Sequence, residues 1–310
     1  LNLVNRGKRT LTLDLKDPTD RQRARRLIDD ADVLVENLRP GKLEALGLDP
    51  VDLLASNPGL VVTRVTGFGQ DGPYADKPGF ATIAEAMSGF AAINGEPDGA
   101  PLLPPIALTD ELTALVAAFA TMVAVHSGVG QVVDVNLLDS LLQMMGPLPA
   151  ASALLGYEQP RLGSGIPYSV PRNTYRCADG RWVAVSTSSE SVAARVMALV
   201  GLGHDERFAT FGGRVDHRDE LDAHLTEWIA ARSLTEVLAA FDDAHAAAAA
   251  VYAMADVLAD PHVQARQSIL EVDGVPMQGL IARLSATPGA IRGAGRPRNA
   301  DPDASWLPRP

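Results

Sequence analysis

The sequence predicts an α/β fold, with a doubly wound parallel sheet in a large domain and a smaller α+β domain. Strand and helix patterns alternate through the first part of the chain, 46% of the 310 residues are apolar, and hairpin signals appear only after Pro171. Alternating strands and helices favour parallel strands joined by right-handed crossovers. A chain of this length and apolar content can bury one large core and a second, smaller one.

The first predicted strand, Leu11–Leu15, alternates apolar and polar residues, as a strand with one buried face does. Two Asp-Pro pairs, each an N-cap followed by a proline at the first helical position, predict helices that begin at Pro18 and Pro50. Strands rich in valine and leucine are expected at Asp32–Glu36 and Leu60–Thr66. The resulting βαβαβ order is one half of a doubly wound sheet.

The loops after the second and third predicted strands are the expected ligand loops, because parallel sheets bind ligands beyond the carboxyl ends of their strands. These loops are Asn37–Gly41 and Gly67–Pro73. The second has the spacing G-x-G-x-x-G, which indicates a dinucleotide site only when a helix starts within the motif. Here Pro73 and Pro78 keep the chain irregular until about Phe80, so a loop that lines a site is the preferred interpretation.

Further helices and strands complete the large domain. The pattern predicts a helix at Thr82–Ile93, an almost uncharged helix over residues 112–126, a strand at Gly130–Asn136 and a long helix at Leu137–Leu155. Glycine and proline become frequent from Gly156 onward, which indicates a domain boundary.

Hairpins and helices define the smaller domain. Strands Asn173–Cys177 and Arg181–Ser186 are joined by Asp179-Gly180, a strong hairpin signal, and Asp273-Gly274 with Leu280–Leu284 predicts a second hairpin. Three helices are expected between the hairpins, at Ser189–Val200, His217–Ala231 and Leu234–Ala244.

Composition and charge exclude several classes of function. The net charge of −11 argues against nucleic-acid and anionic-membrane partners, which require a cationic face. Six histidines without an H-x-x-x-H pair, and one cysteine, Cys177, argue against a metal site. A single cysteine also fits a reducing compartment, so the cytoplasm is expected. The apolar run Leu112–Val125 is shorter than a membrane span, and no secretory signal opens the chain.

Asp110 is the candidate catalytic residue, and two interpretations of it stay open. It follows the apolar run Pro104–Leu108 and Thr109, at the expected start of the uncharged helix. The commoner role for such a residue is an N-cap, here accepting from the backbone N–H of Thr113. The alternative is a nucleophile, because a poorly hydrated carboxylate at an apolar pocket can attack an activated acyl group.

Seven segments together resemble the class III CoA-transferases, a family that includes formyl-CoA, carnitine and succinyl-CoA:dicarboxylate transferases and the related α-methylacyl-CoA racemases. The resemblance covers essentially the whole chain. The segments are Asn5–Pro18, Ala31–Leu48, Gly67–Phe80, the apolar-then-Thr-Asp run that ends at Asp110, Gly130–Leu142, Asn173–Ser186 and Asp256–Arg266.

The resemblance implies that Asp110 is the nucleophile of a CoA-transferase that moves CoA from an acyl-CoA donor to a carboxylic acid acceptor. The carboxylate would form first a mixed anhydride and then an aspartyl-CoA thioester. CoA thioesters are the expected substrates, and no permanently bound cofactor or metal is expected. By the same resemblance, seven further residues are expected to contact coenzyme A or to lie beside the thioester: Arg6, Lys8, Asn37, Leu38, Gly67, Gly69 and Phe80.

The resemblance also implies a Rossmann-like large domain and an interlocked homodimer. The large domain would comprise residues 1–172 and a C-terminal return over residues 281–310, with the small domain at residues 173–280. Family members carry roughly fifty more N-terminal residues, which include the first strand of the sheet. Since this sequence also begins at Leu1 rather than at methionine, we expect it to be a fragment or a processed product.

The sequence departs from the family pattern at three positions. Ala45 and Pro78 stand where formyl-CoA transferase has an arginine and a lysine, so coenzyme A is expected to bind differently. Phe80 lies where the racemases have a histidine base nearby, and proton exchange at an α-carbon needs two acid/base groups. A transferase is therefore favoured over the two alternatives, an acyl-CoA racemase and a non-catalytic CoA-binding protein.

Overall fold

The computed structural model describes residues 3–306. Eight strands lie within this range: β1 Val33–Glu36, β2 Val61–Thr66, β3 Gln131–Asn136, β4 Arg172–Arg176, β5 Trp182–Ser186, β6 Ala248–Ala250, β7 Ile269–Val272 and β8 Val275–Gln278. A 3₁₀ helix at Glu206–Phe208 accompanies the α-helices, which are α1 Pro18–Asp29, α2 Lys42–Ala45, α3 Pro50–Ser56, α4 Ala81–Met87, α5 Phe90–Ile93, α6 Leu108–Ser127, α7 Leu137–Met144, α8 Leu148–Leu155, α9 Glu190–Leu199, α10 Phe211–Asp216, α11 Arg218–Ala230, α12 Leu234–Asp243, α13 Met254–Ala259 and α14 Pro261–Ala265.

Two compact units make up the chain. The first combines the residues up to Ser88, Pro104–Met144 and the residues from Met254 onward, and the second combines Gly89–Leu103 with Met145–Ala253. The resemblance instead implied a small domain at residues 173–280, and that division stays a prediction. Within the second unit, Arg161 donates hydrogen bonds to backbone carbonyls of residues 92–99, which ties the connector after Gly156 to Gly89–Leu103.

The first unit contains a parallel sheet in the order β1-β2-β3 with helices on both faces, which confirms the predicted fold class. Along β2, Val62 belongs to the apolar cluster that includes Ile28 of α1 and Leu53 of α3. Thr63, one residue later, bonds Thr121 of α6 at 2.5 Å between the hydroxyl oxygens. Successive strand residues point to opposite faces, so α1 and α3 cover one face of the sheet and α6 covers the other.

The second unit is built around an antiparallel sheet in the order β4-β5-β6. Its core contains Val183 and Val185 of β5 with Leu221, Leu225 and Phe241 from helices α11 and α12. The β4–β5 hairpin is confirmed, and Gly180 in its turn has the positive φ of +81° that favours glycine. The turn of the second predicted hairpin, Asp273-Gly274, is confirmed between β7 and β8 in the first unit, but the expected strand at Leu280–Leu284 is wrong, because β8 ends at Gln278.

The predicted strand Leu11–Leu15 is wrong, because the structure has no regular strand there. Backbone donors in and beside this segment bond side chains of a distant segment instead: Thr12 N–H donates to Asn299 at 3.1 Å, and the preceding Thr10 N–H donates to Asp301 at 2.9 Å. Alternation of apolar and polar residues predicts a buried face, but a strand also requires a neighbouring strand to pair with.

Three helix predictions also need correction. The predicted helix Thr82–Ile93 is broken at Gly89, and Leu137–Leu155 is broken at Gly146, both of which have positive φ. The uncharged helix begins at Leu108 rather than Leu112 and has 20 residues, so by length and composition α6 is long enough to cross a membrane. Core helices of α/β proteins also meet this criterion.

Helix α6 turns its small side chains inward and its large side chains outward. The inward, buried side chains recur every three or four residues: Thr109, Thr113, Ala117, Thr121 and Ala124. Small residues let the helix lie close to β2, β3, α4 and α7, all of which it contacts. On the outward face, Leu115 and Phe119 are 61% and 73% exposed among the described residues.

We predict that Ala124→Leu loosens the contact between α6 and the sheet. Extra volume on a close-packed face forces the helix outward, which we expect to lower the free energy of unfolding by about 1–3 kcal/mol. Urea unfolding followed by circular dichroism measures the change. His126→Leu, which adds an apolar side chain at an exposed position of the same helix, is the matched control. Equal stability of the two variants would contradict the close-packing argument.

Candidate active site

An open pocket of about 780 Å³ lies within the first unit at the carboxyl ends of the three parallel strands. Its wall includes residues that directly follow each strand: Asn37 after β1, Gly67 after β2 and Leu137 after β3. Asp110, in the first turn of α6, lines the same pocket. The topology therefore produces the ligand-binding position that the βαβαβ pattern predicted.

A buried ion-pair network holds the loop that follows β1. Arg64, on β2, donates to Glu36 at 2.6 Å and to Glu44 of α2 at 2.7 Å. The second oxygen of Glu36 accepts from the backbone N–H of Leu38 at 2.6 Å. Asn37 completes the arrangement by donating to the carbonyl oxygen of Val65 at 2.6 Å. The loop thus reaches the pocket in a conformation fixed before any ligand binds.

The charges of this network favour the ionised forms of Glu44 and Arg64. Burial by itself raises the pKa of Glu44, but the hydrogen bond and charge of Arg64 outweigh it and lower that pKa below the ordinary value. Burial likewise acts to lower the pKa of Arg64, and the two carboxylates outweigh it and raise that pKa. Since Arg64 is only 6% exposed, the two glutamates offset the free-energy cost of burying its charge.

The loop after β2 reaches the pocket through a close backbone contact. A Cβ atom on Gly67 would lie 2.6 Å from the Cα atom of Gly79, so glycine is required at this crossing. Gly69 has φ +94° and faces Asp134 and Asn136 rather than the pocket. The carboxylate of Asp134 accepts from the backbone N–H of Gln70 at 2.9 Å. The chain stays irregular until α4, as expected, so no helix N-terminus completes the G-x-G-x-x-G spacing.

Asp110 is not a helix cap. The N-cap of α6 is Ala107, which makes no side-chain cap hydrogen bond, and Asp110 is the third residue of the helix. The interpretation of Asp110 as an N-cap that accepts from Thr113 is therefore wrong. The mistake arose because the helix begins four residues before its first predicted residue, at the third residue after the proline pair Pro104-Pro105.

The pocket gathers most, but not all, of the candidate residues. Asn37, Leu38, Gly67, Phe80 and Asp110 all line it. Arg6 and Lys8 do not: the Arg6 guanidinium donates to the carbonyl oxygen of Gln278, and the Lys8 ammonium donates to that of Val4 at 2.8 Å. Their proposed contact with phosphate stays a prediction.

Sequence reasoning did not single out two cationic side chains of the pocket wall, Arg39 and Lys77. The ammonium of Lys77 lies 3.7 Å from the ring centroid of Tyr74, which orients it by a cation–π interaction. Arg39 lies within the predicted loop Asn37–Gly41, and Lys77 lies in the irregular stretch that follows the predicted loop Gly67–Pro73. Their charge beside a glycine- and proline-rich loop was the available signal.

The wall of the pocket combines one carboxylate with many apolar groups. Ala114, Ala118 and Met122 of α6 extend from Asp110 along the wall, with Phe80 also in the lining. The first backbone N–H groups of α6, at Thr109 and Asp110, precede the first intrahelical bond, which Glu111 N–H donates to Ala107 at 3.0 Å. The site can therefore offer a nucleophilic oxygen, nearby backbone donors and a weakly hydrated surface.

Comparison with known proteins gives one consistent result. A family model described as CoA-transferase family III matches residues 1–301. The succinyl-CoA–D-citramalate CoA-transferase of Chloroflexus aurantiacus is 38% identical over 305 residues, which cover 94% of this chain and 76% of that protein. The succinyl-CoA:glutarate CoA-transferase of Mus musculus is 31% identical, over 93% of this chain and 67% of that protein. The crystal structure of a CaiB/BaiF family protein from Brucella suis superposes with a TM-score of 0.85 at 31% identity, over 97% of this chain and 81% of that one.

We predict that Arg64→Met destabilises the protein by about 3 kcal/mol at neutral pH, because it leaves the buried carboxylate of Glu36 and the partly exposed carboxylate of Glu44 without a cation. The folded pKa of Glu44 is lowered, so the pair stabilises the protein above pH 4.5, the ordinary value, and loses its effect as the pH falls through the lower folded pKa. The difference in free energy of unfolding between Arg64→Met and the wild type should therefore shrink as the pH falls.

Urea unfolding from neutral to acidic pH measures this difference. Arg25→Met, which breaks the surface pair of Arg25 with Asp29, is the matched control and should cost less than about 1 kcal/mol. A cost for Arg64→Met that equals the control value, or that does not depend on pH, would contradict the role of the network.

Proposed function

This chain belongs to CoA-transferase family III, and we propose that it moves coenzyme A from an acyl-CoA donor to a carboxylic acid through a covalent intermediate on Asp110. The observation that carries the proposal is the position of Asp110 in the pocket. Its carboxylate belongs to the first turn of α6, lines the pocket and serves no capping role. A carboxylate used structurally would be expected to accept a hydrogen bond from the helix start.

The reaction proceeds by exchange of acyl bonds at Asp110. A carboxylate oxygen of Asp110 attacks the thioester carbonyl, the C–S bond breaks, and CoA leaves as a thiolate with formation of a mixed anhydride. The thiolate then attacks Cγ of Asp110, which releases the donor acid and gives an aspartyl-CoA thioester. The acceptor carboxylate attacks the same carbon and displaces the thiolate. Attack of that thiolate on the acceptor's acyl carbon forms the new acyl-CoA and regenerates Asp110.

The pocket supports each step by charge and by exclusion of water. Backbone N–H groups at the start of α6 stabilise the oxyanions, and the apolar side chains of α6 keep water from the anhydride. Asn37, Leu38, Gly67 and Phe80 flank the coenzyme A moiety. Arg39 and Lys77 supply cationic charge to a protein whose net charge is −11, while Gly69 shapes the loop behind Gly67.

A short dicarboxylic acid is the proposed acyl group. The two enzymes described above are named for succinyl-CoA with citramalate and with glutarate. In the pocket of this chain, Arg39 and Lys77 provide positive charge that the attack of Asp110 on the thioester does not itself require. This charge suits a substrate with a second carboxylate. CoA thioesters are substrates in this scheme, with no resident cofactor.

The protein is further proposed to act as a homodimer in the cytoplasm. The outward face of α6, with Leu115 and Phe119, is apolar and largely exposed in the single chain, as a surface covered by a second copy would be. A buried free thiol at Cys177, without a disulfide partner in the described chain, suits a reducing compartment.

We predict that Asp110 is labelled covalently during turnover. Incubation with succinyl-CoA, a hydroxylamine quench and peptide mass spectrometry should reveal a hydroxamate at Asp110, because hydroxylamine captures both the anhydride and the thioester. Asp110→Ala should abolish the label and transfer of CoA to glutarate, while Glu111→Gln, at the neighbouring exposed carboxylate, should retain both. A folded wild-type chain that transfers CoA without any label at Asp110 would contradict the proposed mechanism.

We also predict a dimer that depends on the outer face of α6. Sedimentation equilibrium of the wild type should give about twice the mass of the chain, and Phe119→Asp should shift it toward the monomer because a charge cannot be buried unpaired. Val51→Asp, at a similarly exposed apolar position on α3, is the matched control. A monomeric wild type, or a Phe119→Asp variant that remains a dimer, would contradict a dimer interface on the outer face of α6.

A further inference from the structure

Glu85 of α4 is a buried carboxylate that the reaction scheme does not use. Its side chain is 4% exposed, and its Oε1 atom accepts a hydrogen bond from the hydroxyl of Thr109 at 2.8 Å. Thr109 is fully buried. The sequence analysis did not single out Glu85, because its partner lies 24 residues away. A buried acidic residue with a neutral hydroxyl partner is costly in free energy, so its presence calls for an explanation.

The hydrogen bond between Glu85 and Thr109 joins helix α4 to the first turn of helix α6, which carries Asp110. Helix α4 starts directly after Phe80, its N-cap residue, which lines the pocket. Thr109 directly precedes Asp110 in the first turn of α6. The hydrogen bond therefore fixes the distance between the helix that follows Phe80 and the turn that carries the reactive carboxylate.

The start of α6 has few other restraints of this kind. Its N-cap, Ala107, has no side chain that can cap the helix. The hydroxyl of Thr113 donates to the carbonyl oxygen of Thr109 at 2.7 Å, but this bond is internal to α6 and cannot set the helix position relative to α4. Glu85 supplies the restraint between helices that a capping side chain would not give.

We infer that Glu85 is a positioning residue, which through Thr109 holds the carboxylate of Asp110 in the orientation required to attack the thioester. This inference rests on the proposed function of Asp110. It assigns to Glu85 no contact with substrate and no proton transfer. What the residue must provide is a hydrogen-bond acceptor of the right length at a buried position, which a glutamine also provides.

The decisive experiment compares variants of Glu85 and Thr109 in the whole chain, with succinyl-CoA as donor and glutarate as acceptor. The number of competent sites is counted by the hydroxamate formed at Asp110, and kcat is expressed per competent site. Glu85→Ala should lower kcat by about 10- to 100-fold while KM for succinyl-CoA changes little, because a displaced nucleophile slows attack without weakening binding. Glu85→Gln should restore kcat to within about threefold of wild type, since its amide oxygen can accept the same bond.

A double-mutant cycle separates this role from a general loss of structure. Thr109→Val should lower kcat as Glu85→Ala does, Thr109→Ser should retain activity, and the combination of Glu85→Ala with Thr109→Val should be no slower than the slower single variant. Glu111→Gln, one residue after Asp110, serves as the control for loss of a nearby carboxylate.

The outcomes distinguish this inference from the proposed function. If the wild type is active, three results would overturn the inference alone. They are a normal kcat per competent site in Glu85→Ala, losses that multiply in the double variant, and a Glu85→Gln variant as slow as Glu85→Ala. A folded wild type without transfer or label at Asp110 would overturn the proposed function and, with it, the role given to Glu85.

Discussion

The close contact between α6 and the parallel sheet is the constraint on which the candidate site depends. It exists because the inward face of the helix carries only threonine and alanine, and because Thr121 bonds Thr63 of the central strand directly. Larger inward side chains would separate the helix from the sheet and widen the pocket beside Asp110. The same small residues, Ala117 and Thr121, line that pocket, so the packing of the helix and the shape of the site have one cause.

The buried carboxyl groups Glu36 and Glu85 of the first unit act on different parts of this site. Glu36 and Glu44 are balanced by Arg64, and their effect is to hold the Asn37–Pro40 loop, which forms the wall for the ligand. Glu85 is joined to a neutral hydroxyl and acts on the turn that holds Asp110. Each arrangement buries a carboxyl group, and in the proposed reaction each leaves the site little reorganisation to make.

Local sequence signals predicted the fold well and the contacts between distant residues poorly. Asp17-Pro18 and Asp49-Pro50 start helices as expected, because a cap and a proline act within one turn. Leu11–Leu15 has the pattern of a strand but no strand beside it, and whether a partner exists is not a local property. The start of α6 was misplaced because Asp110 has the chemistry of a cap, while Ala107 occupies that position. Arg64, a charge inside an apolar strand, was the one visible sign of the buried network.

An acidic protein that binds anionic substrates must provide positive potential locally, and the arrangement of this pocket shows how. Arg39 and Lys77 lie in the two loops that follow the strands, and the start of α6 contributes the partial positive charge of a helix N-terminus. In the proposed reaction Asp110 is the nucleophile, so these groups must attract the substrate without pairing with its carboxylate. Among the described residues, the carboxylate of Asp110 makes no ion pair within 4.0 Å. Placing the cations on loops and the nucleophile on a rigid helix separates the two tasks.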